Sequence, residues 1–124
     1  MAKTYLLFIA IGLVPVALSY GANPASVLPR LLKFDVEAPN ETQVFRAVMC
    51  LYLATSAFWL MGALIPEWHR AALLWAVFFM LSLASGRVLS MALDGMPTAP
   101  LLNLYLAVEL GASALGLWLL CSTG

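Results

Sequence analysis

Charge is scarce in this chain. Only 10% of its 124 residues are Asp, Glu, Lys or Arg, against about 25% in an ordinary soluble domain. A small soluble protein needs many polar side chains, because its surface is large for its volume. The shortage argues against a soluble globular fold. The hydrophobic fraction of 64% argues equally against disorder, which needs low hydrophobicity and high net charge. Six basic residues balance six acidic ones, and no basic tract supplies the footprint of a nucleic-acid binder. Histidine is nearly missing, since His69 is the only one. One histidine outside the apolar runs excludes a bis-histidine haem within one chain and a Ser–His–acid set inside the membrane. The two cysteines, Cys50 and Cys121, sit in separate apolar runs. They read as buried free thiols acting as small hydrophobes, not as a disulfide framework. No Cys/His cluster has metal spacing, and no glycine loop is built to cradle phosphate. No cofactor and no metal are expected, and the chain reads as non-catalytic.

Long hydrophobic runs are what the sequence has instead. A membrane-crossing helix needs about 20 mostly apolar residues. Four segments qualify, over residues 5–20, 44–65, 71–93 and 101–121. Their runs are continuous, without the alternation of barrel strands, so the expected fold is an all-α, four-helix transmembrane bundle forming a single domain over 1–124. Lys3, the first apolar stretch and Ala17-Leu18-Ser19 loosely fit a signal peptide, but the segment is read as a true span. Pro15 is expected to kink it. The termini should share one side. Two basic residues on that side against two or three on the other leave the orientation open.

Short connections set the topology. Asn40 followed by Gln43 predicts a helix cap with a capping-box partner. Pro66 ends the second span, and Asp94-Gly95-Met96-Pro97 is a turn with glycine and proline well placed. Helices two to four are thus expected to run up and down as neighbours. In the longer first connection, Val27, Leu28, Leu31 and Leu32 share one helical face, away from Arg30 and Lys33. That pattern suggests a short helix lying in the membrane interface, limited by Pro29. Ser82 with Gly86, and Ala112 with Gly116, have the spacing of small residues at close helix contacts. Trp59, Trp68, Trp75 and Trp118 read as interface anchors or lipid-facing bulk.

Three ionisable residues fall inside the spans: Arg46, Arg87 and Glu109. Such residues almost always face the protein interior and pair with one another. At about 1.5 Å per residue, Arg46 lies about 6 Å in from Thr42, Arg87 about 10 Å in from Asp94, and Glu109 about 12 Å in from Leu101. All three depths are measured from the same side of the membrane. Arg87, Ser90 and Asp94 form one helical stripe, and Tyr105, Glu109 and Ser113 form another. Pointing these stripes inward makes a polar pocket open toward the loops at 21–43 and 94–100. Arg87 with Glu109 is the expected ion pair, with Arg46 completing it or meeting Asp94. The candidate site is therefore Arg46, Arg87, Ser90, Asp94, Tyr105 and Glu109. It reads as a network that fixes helix order, as a ligand site, or as a thin proton relay. Two arginines against one buried glutamate favour an anionic ligand if Asp94 points away.

These residues carry a resemblance. Asn40 through Arg46 to Tyr52, then Gly86-Arg87-x-x-Ser90-x-x-x-Asp94-Gly95-x-Pro97, then Glu109, resembles the small bacterial four-helix membrane proteins of domain-of-unknown-function family 4345. The resemblance covers nearly the whole chain and implies a four-helix bundle in the bacterial inner membrane, with no activity attached. Val48-Met49 stands where a glycine is expected near the arginine, which bears on packing beside Arg46. The leading expectation is a small accessory or assembly subunit of a larger membrane complex. The alternative is a lipid- or anion-binding or transport protein using the Arg/Glu cluster. The expected partners are membrane lipids and either that complex or further copies of the chain, with no nucleic acid.

Overall fold

The computed structural model describes residues 1–31, 39–96 and 100–123. Five α-helices account for nearly all of them: α1 (Ala2–Gly21), α2 (Pro24–Leu31), α3 (Pro39–Leu64), α4 (His69–Asp94) and α5 (Pro100–Thr123). A single 3₁₀ turn, Pro66–Trp68, joins α3 to α4. Four of these helices are long and apolar enough to cross a membrane. The protein is an all-α, four-helix membrane bundle, with α2 as an extra short helix.

Helix α1 packs chiefly on α3, and α4 chiefly on α5. α3 also packs on α4, whereas α1 meets α5 only sparingly. No comparable contact joins α3 to α5 among the described residues, so these two lie diagonally across the bundle. This unequal packing positions the site, because it leaves a gap between α1 and α5.

Inside a membrane, apolar side chains gain little by leaving lipid for protein. Helices associate through close packing and hydrogen bonds instead. Glycine and alanine bring the backbones together where packing is tightest. A side chain at Gly21 would strike Met49 of α3, and one at Gly62 would strike Ala72 of α4. Ser56 Oγ donates to the Ala10 carbonyl at 2.5 Å, tying α3 to α1 in the buried core. Ser56→Ala is expected to cost about 0.6 kcal/mol, and at most about 1.7, the range of interhelical hydrogen bonds measured in membranes. Unfolding by SDS in mixed micelles checks this. A loss above about 3 kcal/mol would show that the hydroxyl does more than bridge two helices.

Aromatic rings fill the rest of the core. Tyr52 meets Tyr20 edge-on at 5.7 Å and Phe79 at 5.3 Å. Trp59 meets Phe79 edge-on at 5.4 Å. Trp59 is fully buried, which corrects the expectation of a lipid-facing tryptophan. Gly62, Ala63, Ala72 and Ala76, near the α3–α4 turn, are buried in the same core. Trp68, Trp75 and Trp118 are exposed.

Other local expectations are corrected too. α3 begins at Pro39, so Asn40 lies inside the helix and does not cap it. Proline suits a first turn, where its missing N–H would have had no partner. In α2, Leu28 is fully buried and Arg30 is exposed, and the helix packs on α1 and α3. Leu32, Lys33 and Pro97 lie outside the described residues. Gly95 has φ +91°, a value that favours glycine, and its N–H closes α4 on Met91. Cys50 and Cys121 are free and exposed, not buried.

Candidate functional site

Arg87 of α4 and Glu109 of α5 meet between two closely packed antiparallel neighbours. Nε of Arg87 donates to both carboxylate oxygens, at 3.0 Å to Oε1 and 2.9 Å to Oε2. Neither terminal guanidinium nitrogen bonds the carboxylate, so the pair is side-on and not the forked arrangement common for arginine. The Glu109 side chain is 7% exposed and that of Arg87 is 19% exposed. The carboxylate is therefore buried while part of the guanidinium stays open. Tyr105, one turn before Glu109, places its ring 5.4 Å from Cζ of Arg87, a cation–π distance. Tyr20 of α1 is another polar neighbour of the guanidinium. One turn after Glu109, Ser113 Oγ donates to its backbone carbonyl at 2.7 Å.

Two cavities meet at Arg87. The first, of about 370 Å³, lies between α1, α4 and α5 and is floored by Tyr52 of α3. Its walls are apolar except where Arg87, Glu109 and the tyrosines enter, and Phe8 on its rim is 78% exposed. At the α1–α5 seam the Tyr5 hydroxyl donates to the Ala112 carbonyl at 2.6 Å. The second cavity, of about 610 Å³, lies toward the α4–α5 turn and includes Ser82, Ser90, Asp94 and Gly95. Tyr52, Leu83 and Arg87 line both.

Glycines mark the openings. Gly12 and Gly111 line the first cavity and Gly86 the second, and a Cβ at any of the three would meet nothing within 4 Å. Glycine inside a helix costs about 0.8–1.0 kcal/mol relative to alanine. Close packing explains Gly21, Gly62 and Gly116, where an added Cβ would collide. It does not explain these three, whose effect is to leave space. The expectation that Ser82 and Gly86 pack against a neighbour within the bundle is corrected, since both are exposed.

The predicted site residues separate into two groups. Arg87, Tyr105 and Glu109 come together. Ser90 and Asp94 are exposed at the outer edge, where Ser90 Oγ donates to Oδ2 of Asp94 at 3.4 Å. Arg46 is exposed on α3, so the inward placement expected for it is corrected. The diagonal position of α3 removes Arg46 from α5, and depth alone did not show which way it faced. Sequence reasoning missed Tyr20 and Tyr52, which close the site from α1 and α3. Their signal was partial: Tyr52 lies about 15 Å in from Thr42, somewhat deeper than the charges, and Tyr20 ends the first span on the same side. Among the described residues, no group of three His, Cys, Asp or Glu side chains is placed to hold a metal.

No curated protein and no solved structure matches the chain. The profile of the family described as "Domain of unknown function (DUF4345)" matches residues 1–120. With nearly its whole length matched, the chain belongs to the DUF4345 family.

Proposed function

We propose that the protein binds a lipid-like molecule in the cavity between α1, α4 and α5, with the molecule's polar end at the Arg87–Glu109 pair. The carrying observation is an apolar cavity of about 370 Å³ that ends on a buried ion pair. Its volume falls in the usual range for small-molecule sites, about 300–1,000 Å³. The open glycines at positions 12 and 111 support the same reading, because they leave the cavity unfilled. Catalysis has less support. A general base must reach its substrate, and both Glu109 oxygens are held by Nε of Arg87. We assign the activity to the bacterial inner membrane, in keeping with the family resemblance.

The test is native mass spectrometry of the full chain, gently extracted from its own membranes. The wild type should retain a lipid-sized mass. The double variant Gly12→Leu/Gly111→Leu should lose it about tenfold or more while melting no lower, since its new side chains enter open space. Undiminished retention by that variant would overturn the reading. The accessory-subunit reading rests on small size and short connections. The exposed Leu104, Val108 and Leu115 of α5 suit a partner helix as well as lipid. A stoichiometric larger protein in the same spectra would establish it.

A further inference from the structure

Two features of the site define what the polar end of its ligand must be. The first is charge balance. Arg87 and Glu109 neutralise each other, and Arg46 is exposed on another helix. Among the described residues, the only other charge lining either cavity is Asp94, at the outer edge of the second. The surplus positive charge that would favour an anion is therefore gone. A ligand carboxylate or phosphate beside Arg87 would face Glu109 directly and Asp94 beyond it. A ligand ammonium would have to displace a guanidinium already in place. Either would add an uncompensated charge to a poorly solvated site, which is costly.

The second feature is hydrogen-bonding capacity. Guanidinium is a pure donor, and the carboxylate takes up only its Nε–H. The terminal nitrogens stay off the carboxylate, on a side chain that lines both cavities, and the neighbouring Tyr20 hydroxyl can take only part of their donor capacity. Tyr52 and Tyr105 line the first cavity beside it. Both Glu109 oxygens, the strongest acceptors nearby, are engaged. The local surplus is thus of donors.

Building on the lipid-binding reading, we infer that the ligand is a neutral amphiphile whose head presents acceptor oxygens, such as an ester or ketone carbonyl. Its tail lies in the cavity between α1, α4 and α5. Its head rests on the terminal nitrogens of Arg87, where the two cavities share Tyr52, Leu83 and Arg87.

The experiment compares four probes with one chain length and different heads. They are methyl palmitate (neutral ester), palmitate (anion), palmitylamine (cation) and hexadecane (no head). Each is offered to the full chain after delipidation, and retention is read by native mass spectrometry. Methyl palmitate should be retained about tenfold or more above each of the others. In the double variant Arg87→Met/Glu109→Leu, which removes both charges without stranding either, methyl palmitate should fall to the hexadecane level. Palmitate or palmitylamine binding as well as the ester would overturn the inference and leave the lipid-binding reading standing. An unchanged ester preference in the double variant would overturn it as well, because the head would then sit elsewhere. Retention of no probe by the wild type would overturn the lipid-binding reading and this inference together. The wild-type series decides the matter even if the double variant does not fold.

Discussion

Arg87→Ala is expected to destabilise the bundle by about 3–5 kcal/mol, the cost of breaking a buried pair by removing one partner. Among the described residues, the cation paired with the Glu109 carboxylate is Arg87, and the glutamate side chain is 7% exposed. Alanine would leave that carboxylate in a largely apolar surround, with Tyr105 losing the cation above its ring. The pair joins α4 to α5, so the loss should appear as separation of that helix pair. Removing both charges together is a different case. Replacing a buried ion pair with apolar residues of similar volume is often neutral or stabilising. Arg87→Met/Glu109→Leu should therefore recover most of the loss. SDS titration in mixed micelles measures both variants on one scale. A wild-type midpoint for Arg87→Ala would show that the pair does not hold α4 to α5.

The fold was largely legible in the sequence because membrane spans are written in long runs. Length and apolar continuity identify a helix without any knowledge of its neighbours, and all four spans follow from that. The Arg87–Glu109 pair was legible for a related reason. A charge within a span needs a counter-charge, and few candidates share its depth. What could not be read was rotation about each helix axis and the order of helices around the bundle. Arg46 satisfies the same depth argument as Arg87, yet it faces outward on α3. Trp59 looks like any other membrane tryptophan until α3 and α4 close around it. Tyr20 and Tyr52 reach the site only because α1 packs on α3, two helices that are not joined by a short turn. The cavity was wholly hidden, since it is the gap left by sparse α1–α5 contact.

Gly116→Leu is expected to be the most damaging single glycine replacement on α5, and Gly111→Ala on the same helix to be harmless or stabilising. The two positions share a residue type and an apolar helix, but their surroundings are opposite. A Cβ at Gly116 would stand 2.9 Å from both the Tyr5 hydroxyl and Cγ2 of Val77. Both neighbours are buried, so neither has free room to retreat. Tyr5 also donates to Ala112 at 2.6 Å, and a leucine would push its hydroxyl off that carbonyl. Overpacking at about 1–3 kcal/mol together with a lost hydrogen bond at about 1 kcal/mol gives an expected loss of about 2–4 kcal/mol. At Gly111 an added methyl meets nothing within 4 Å, and alanine favours the helix by about 0.8–1.0 kcal/mol. Thermal melting of the two variants in one detergent separates the cases by sign. If Gly111→Ala melts several degrees below wild type with both proteins delipidated, protein atoms fill the space beside it. The cavity between α1 and α5 would then be a packed surface, and a lipid could not enter it.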